Sequence, residues 1–389
     1  MNKKIVALTT AVVLSLSVLG GCGKKEEEAT TEAQSYSVNL TENSMIDDSS
    51  DMLMSKDGKI LSDLNGEWVE PEIAKQRYVA IMVNNIIDAM PQSGVERADV
   101  IYEMLEEGGI TRLMAIFQAD YTDVQKIGPV RSARHYYDRK ALEYDAIFAH
   151  WGQSIYAQHE FEHLKDLDQL DMNGKDGEYG FRASDRVAPH NAYTSGENIK
   201  KAIEADGFDT KKSKEYKKMF NFNLEEKALE GGKAANKITT AYNEGRKPWF
   251  EYDSESGLYK RFQYGEPQID AETGNQLAFE NVIIQYAPHN GIKNDQSGCI
   301  DIEYVGEGEG YYATGGQIIP IKWSKKAKAK HINFSSTDGL LDEGNKSGSC
   351  SDYGVTEFTT ADGQPLKLNP GKTWVTVFPD DNKEGIIIE

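Results

Sequence analysis

Glu103, Glu107, Arg112, Arg131 and Arg134 crowd into one stretch of the chain, around the tight breaks Gly108-Gly109 and Gly128-Pro129. Arginine offers a planar fork of donors that fits a carboxylate or a phosphate, and it stays charged at physiological pH. Arg182, Arg186, His190 and Asn191 add donors further along, and Asn84 and His150 stand where apolar runs end. Together these residues read as the lining of a pocket for something anionic or rich in hydroxyls. Glu103 and Glu107, four apart on an expected helix, would share one face and orient the arginines or bind sugar hydroxyls. The turn into Ser132 would start another helix, whose free N–H groups favour an anion. The competing account is an internal ion-pair network that only staples helices to a sheet.

Such groups must be brought together by strand ends and helix starts. Residues 78–83 predict a buried strand, and 96–107 a helix with Val100, Ile101, Met104 and Leu105 on one side, closed by Gly108-Gly109. A strand over 111–119, a helix over 132–144, a strand over 146–150 and a helix over 154–164 follow. That alternation implies an α/β layer with a largely parallel sheet. Asn84-Asn85, the 118–131 loop and the His150 to Ser154 loop would then leave the carboxyl ends of strands, where open α/β sheets bind ligands. Later strands are aromatic and β-branched, separated by Gly, Asp and Pro turns. The expected class is α+β: an α/β domain over 73–209, a Lys-rich polar linker over 210–240, and a mostly β domain over 241–389.

The start of the chain says where the protein works. Two lysines, an apolar stretch and Leu19-Gly20-Gly21-Cys22 give a secretory signal over 1–21 that ends in a lipobox, with Cys22 as the lipidated residue. No other apolar run approaches the roughly 20 residues that cross a bilayer. Residues 22–72 form an acidic tether. From Glu26 to Glu70 twelve Asp or Glu face only Lys56 and Lys59, a formal charge of −10, half of the chain's −20. Such a segment cannot bury enough surface to offset its ordering entropy. The expected location is the extracytoplasmic face of a bacterial cytoplasmic membrane, with the lipid as anchor. The acidic balance argues against nucleic acid, which needs a basic face.

A family resemblance joins these residues. Asn84, Pro91-Gln92-Ser93-Gly94, Tyr102-Glu103, Glu107-Gly108-Gly109-Ile110-Thr111-Arg112, Gly128-Pro129-Val130-Arg131-Ser132-Ala133-Arg134, His150 with Gly152, and Pro189-His190-Asn191 resemble the YerB-like lipoproteins. So do Asn281-Val282, Asp301, Trp323 and Pro370 to Trp374 in the second half. The resemblance implies a lipoprotein with an amino-terminal α/β and a carboxyl-terminal mostly β domain. It implies no reaction.

Enzyme signatures are few. His159-Glu160-Phe161-Glu162-His163 is a literal H-E-x-x-H, but Glu162 charges a position that zinc peptidases keep apolar, and no third ligand motif follows. His289 with Ser297-Gly298-Cys299 is similar to a cysteine transpeptidase motif, yet Asp301 stands where those enzymes carry arginine. No metal and no cofactor are expected. Cys299 and Cys350, the cysteines left beside Cys22, can pair outside the cytoplasm or stay as two thiols. The Gly306 to Gly310 run reads as a turn, and the Lys325 to Lys330 run as a solvated edge or a contact with anionic wall polymer. The expected function is binding of an anionic, wall-derived ligand such as a muropeptide, or of an envelope protein. Two alternatives stand beside it: a cell-wall hydrolase or transferase using Glu103 or Glu107 with His150 or His190, and an assembly factor without a small ligand.

Overall fold

Strand alternation, more than helix periodicity, builds this molecule. The computed structural model describes residues 55–118, 121–163, 166–303, 305–326 and 354–389. The signal, Cys22, most of the tether, Cys350 and residues 327–330 of the lysine run lie outside the described residues.

The largest sheet has eleven strands among the described residues. In chain order they are β1 Val79–Asn84, β2 Val100–Leu105, β3 Thr111–Phe117, β4 Ile147–His150, β5 Gln169–Asp171, β6 Lys233–Ala234, β7 Asn281–Ala287, β8 Gly306–Thr314, β9 Gln317–Lys325, β10 Thr356–Thr360 and β11 Thr373–Pro379. Across the sheet the order is β6-β9-β8-β7-β11-β2-β3-β1-β4-β5, with β10 beside β9. Strands β1, β4 and β5 run parallel to one another, as do β7, β11 and β2. The other pairings are antiparallel. The sheet is therefore mixed, which corrects the expectation of a largely parallel one. It also runs across the expected linker, because β11 from the chain's end lies against β2 with Val375 beside Tyr102.

The expected helix over 96–107 is a strand. Val100, Ile101, Met104 and Leu105 match a helical face, but a central strand buried on both faces shows an equally continuous apolar run. Only a short 3-10 turn, Val95–Arg97, precedes it. Glu103 is tolerated there because a partner meets it, as described below.

Alternate residues of the central strands enter two cores. Ala80, Met82, Tyr102, Met104, Met114 and Phe148 face one side; Val79, Ile81, Ile101, Leu113, Ala115 and Ala149 face the other. This is the two-residue period of a strand covered on both faces. Helix α1, His135–Glu143, packs Tyr136, Tyr137 and Ala141 on the first side. The second side is covered by α3, Gly196–Asp206, and by a six-stranded antiparallel sheet containing Ile238, Phe250 and Tyr259. Between them in sequence lies α2, Ile155–His163. Ser195 caps α3 by accepting from the Asn198 N–H at 3.2 Å, and Gly207 closes it in the left-handed conformation.

Residues 210–240 are tied to the body. Met219 and Phe220 are buried, and Asn221–Phe222 pairs with Lys367–Leu368. No helix among the described residues is long and apolar enough to cross a membrane.

Candidate functional site

The segment after the Gly128-Pro129 turn is pinned between two parallel strands at their carboxyl ends. The Arg131 N–H donates to the Met82 carbonyl of β1, and the Trp151 N–H, just past β4, donates to the Arg131 carbonyl, both at 3.0 Å. Next, Ala133 N–H meets Gly152 O at 2.9 Å and Ser154 N–H meets Ala133 O at 3.1 Å, so the two segments run side by side. Gly152 holds φ +76°, a conformation that side chains with a Cβ rarely adopt. Its N–H donates to Asp171 Oδ1 at 3.1 Å, at the end of β5.

On this floor lie two adjoining clefts. The smaller, ≈ 400 Å³, is lined by Arg131, Ser132, Trp151, Gly152, Gln153, Asp171, Asn173 and Arg182. The larger, ≈ 660 Å³, is bounded by Glu107, Arg134, Tyr156, Asp295, Ser297 and Cys299 among others, and shares Ser132 and Gln153 with the first.

In the smaller cleft the arginines are not neutralised. Among the described residues Arg131 makes no carboxylate pair, and its Nε is buried without a hydrogen-bond partner. Burial, with Arg112, Arg134 and Arg182 as like-charged neighbours against a single opposing Glu106, pushes Arg131 down to about 10. Arg182 lies 4.9 Å over the Trp151 ring and donates to Asn191 Oδ1 at 2.8 Å. Asn191 in turn donates to the carbonyls of Ala183 and Arg186. The Trp151 indole N–H and Gln153 Oε1 are likewise buried without partners. A ligand that carries both an anionic group and hydroxyls brings acceptors for the arginine and indole donors and donors for the Gln153 oxygen.

In the larger cleft the charged groups already have partners, and the lining keeps the negative charge of Asp295. Arg134 grips Glu107 with two bonds, 2.7 and 2.8 Å. Burial pushes the Glu107 carboxyl up, but the Arg134 guanidinium outweighs it and holds the group below its ordinary range. Asp295 accepts from Ser297 Oγ at 2.7 Å, Cys299 N–H at 2.7 Å and Tyr156 OH at 3.1 Å. Cys299 is buried, and that burial pushes its thiol up to about 12 despite Ser297. Nothing there activates a thiolate, so the transpeptidase-like motif gains no support.

The other expected residues have separate tasks. Glu103 is sealed against Arg261 at 2.7 Å, and both are fully buried. The shared helical face of Glu103 and Glu107 does not exist: Glu103 belongs to β2 and Glu107 to the turn after it. Arg112 pairs with buried Glu106 at 2.5 Å and also donates to Ser132 O. Arg186 donates to the carbonyls of Ala89 and Pro91, both at 2.6 Å. His190 Nδ1 accepts from Asn84 Nδ2 at 3.0 Å, and neither residue lines a cleft. His150 is buried, stacked on Phe161 and bonded to Gln169 and the Gly152 carbonyl, so it props the floor. Burial lowers its pKa. Of the expected set, Arg131 and Arg182 line the smaller cleft, Glu107 and Arg134 the larger one.

Sequence reasoning placed the His150 to Ser154 loop at the ligand edge without naming Trp151 or Gln153 as site residues, and it passed over Asp171 and Asn173. The signal for the first two was their place just after a strand; Asp171 and Asn173 needed the knowledge that β5 extends the parallel run. In the H-E-x-x-H stretch, Glu160 is bonded at 2.7 Å to buried Arg139, where it cannot serve as a general base.

The fold and clefts describe a mixed-sheet protein with an arginine-lined cleft at the carboxyl ends of its parallel strands. The chain matches the N-terminal domain of a protein of unknown function, DUF3048, over residues 64–209, and the C-terminal domain of the same over 238–345. It is 32% identical over 333 residues to the Bacillus subtilis (strain 168) protein named "Putative lipoprotein YerB", covering 83% of this chain and 87% of that one. A crystal structure of the YerB protein from Bacillus subtilis matches with a TM-score of 0.70 at 30% identity, covering 85% of this chain and 100% of that one. The chain belongs to this DUF3048, YerB-like family.

Proposed function

We propose that this protein is a membrane-anchored envelope lipoprotein whose Arg131 and Arg182 cleft binds an anionic ligand. The observation that carries the reading is the contrast among its arginines. Arg112, Arg134 and Arg261 are each ion-paired with a carboxylate, whereas Arg131 and Arg182 make no ion pair among the described residues, although Asp171 lines the same cleft. A half-buried arginine with an unsatisfied Nε is costly unless something else supplies the acceptor. The lipobox at Cys22 and the lipoprotein name of the Bacillus subtilis relative support the anchor.

A hydrolase or transferase using Glu103 or Glu107 with His150 or His190 gains no support: Glu103, His150 and His190 line neither cleft, and Glu107, which borders the larger one, is held by Arg134 below the ordinary carboxylate range. The test is binding of purified wall fragments and of anionic wall polymer to the wild type, Arg131→Ala and Arg182→Ala, with melts alongside. Binding lost in both variants at unchanged stability is the expected result. Wild type that binds neither preparation would remove the reading.

A further inference from the structure

The two clefts differ in charge but share a floor. Ser132 and Gln153 line both, and the paired segments beneath them form one continuous surface from Arg182 to Ser297. The smaller cleft offers two arginines without carboxylate partners, a tryptophan ring and the amides of Gln153 and Asn173. The larger offers the Glu107–Arg134 pair, the Asp295 carboxylate, side-chain amides at Asn294 and Gln296, hydroxyls at Ser154 and Ser297, and an apolar rim at Ile155, which is 56% exposed.

We infer that the two clefts are successive subsites for an oligosaccharide, an acidic sugar lying against Arg131 and Arg182 and a neutral neighbouring sugar lying between Ile155 and the Asn294 to Ser297 loop. This rests on the anion-binding reading of the smaller cleft.

The chemistry separates a sugar from a simple anion. Asp171, whose Oδ1 already accepts from the N–H groups of Gly152 and Asn173, stands in the same cleft as the arginines. A phosphate-only site would gain nothing from a carboxylate beside it, whereas a ligand with hydroxyls beside its acid can donate to that carboxylate while its acid meets the arginines. Amides carry both a donor and an acceptor, and so suit hydroxyls, which need both. In the larger cleft Glu107 is locked on Arg134 and Asp295 accepts from three neutral donors, which leaves a polar surface with one uncompensated carboxylate and no free cation among the described residues. A neutral sugar fits such a lining, and a second acidic unit does not. Each cleft falls within the roughly 300–1,000 Å³ of ordinary small-molecule sites.

Calorimetry with defined sugars tests this. The probes are N-acetylmuramic acid, with its free lactyl carboxylate; the disaccharide of N-acetylglucosamine and N-acetylmuramic acid; glucuronic acid; uncharged chitobiose; and an acidic tripeptide. The disaccharide is expected to bind about tenfold more tightly than the acidic monosaccharide. Ile155→Ala, on the exposed rim, should remove that gain and leave the monosaccharide unchanged. Arg182→Ala should weaken both. Glucuronic acid matching N-acetylmuramic acid assigns recognition to the carboxylate of any acidic sugar; a preference for the latter assigns it to the wall sugar. Equal affinity for the two wall sugars, equal weakening of both by Ile155→Ala, or binding of chitobiose or the tripeptide in their place overturns the two-subsite inference while the anion cleft survives. Failure of every acidic probe removes both.

Discussion

Glu103 and Arg261, 158 residues apart, form a fully buried ion pair at 2.7 Å that joins the central strand β2 to the six-stranded sheet. The Arg261 guanidinium is held between the rings of Phe250 and Trp374, at 4.6 and 4.5 Å. Asn85 donates to the other Glu103 oxygen at 3.3 Å. Two halves that match separate family domains are thus bolted together by charge in the core.

Breaking that pair from one side should be severe. Arg261→Ala leaves a buried carboxylate without its partner and two rings facing a void, a loss of about 3–5 kcal/mol or more. Urea melts of Arg261→Ala should show one cooperative transition shifted to lower denaturant. Two separate transitions would mean that the halves unfold independently and the pair does not couple them.

The arginines should divide by partner. Arg112→Ala strands Glu106, which is 2% exposed, and should cost about 3–5 kcal/mol. Arg131→Ala removes no carboxylate pair and should stay within about 1 kcal/mol of wild type. Thermal melts of the two variants side by side check this. Equal, severe losses would show that Arg131 belongs to the internal network.

Asp138 on α1 gives a pH signature. It is fully buried, and neither carboxylate oxygen has a hydrogen-bond partner among the described residues. Burial first, and nearby Glu160 second, push its pKa well above the ordinary carboxylate value in the folded state. The unfolded chain therefore ionises Asp138 at lower pH than the folded one, so its contribution is retained below pH ~3.9 and declines as pH rises toward the folded pKa. Asp138→Asn should raise stability near pH 7, and the gain should vanish below pH 4. A constant difference across that range would contradict the assignment.

Lipidation should depend on one residue. Cys22→Ala is expected to abolish incorporation of labelled fatty acid and to leave an uncut precursor. Label retained in that variant would break the lipobox reading.

Local sequence determined the parts that rest on short-range chemistry. The strands over 78–83 and 111–119, helix α1 and the turn that delivers Arg131 each depend on neighbours a few residues away and were legible in the chain, whereas the far end of the expected tether was misread: residues 55–69 pair as three short strands with Leu64 buried, because partners from distant segments supply the burial that their own composition does not. The tertiary structure decided which charges are free. Residues 100–105 read as a helix because four apolar positions matched its period, and only burial between β11 and β3 makes them a strand. Glu103 looked like a pocket residue until Arg261 met it, and Arg131 looked like its arginine neighbours until every other nearby carboxylate proved to be taken. Pairing across 158 residues leaves no trace in local periodicity. The cleft is what remains after those long-range pairs have formed.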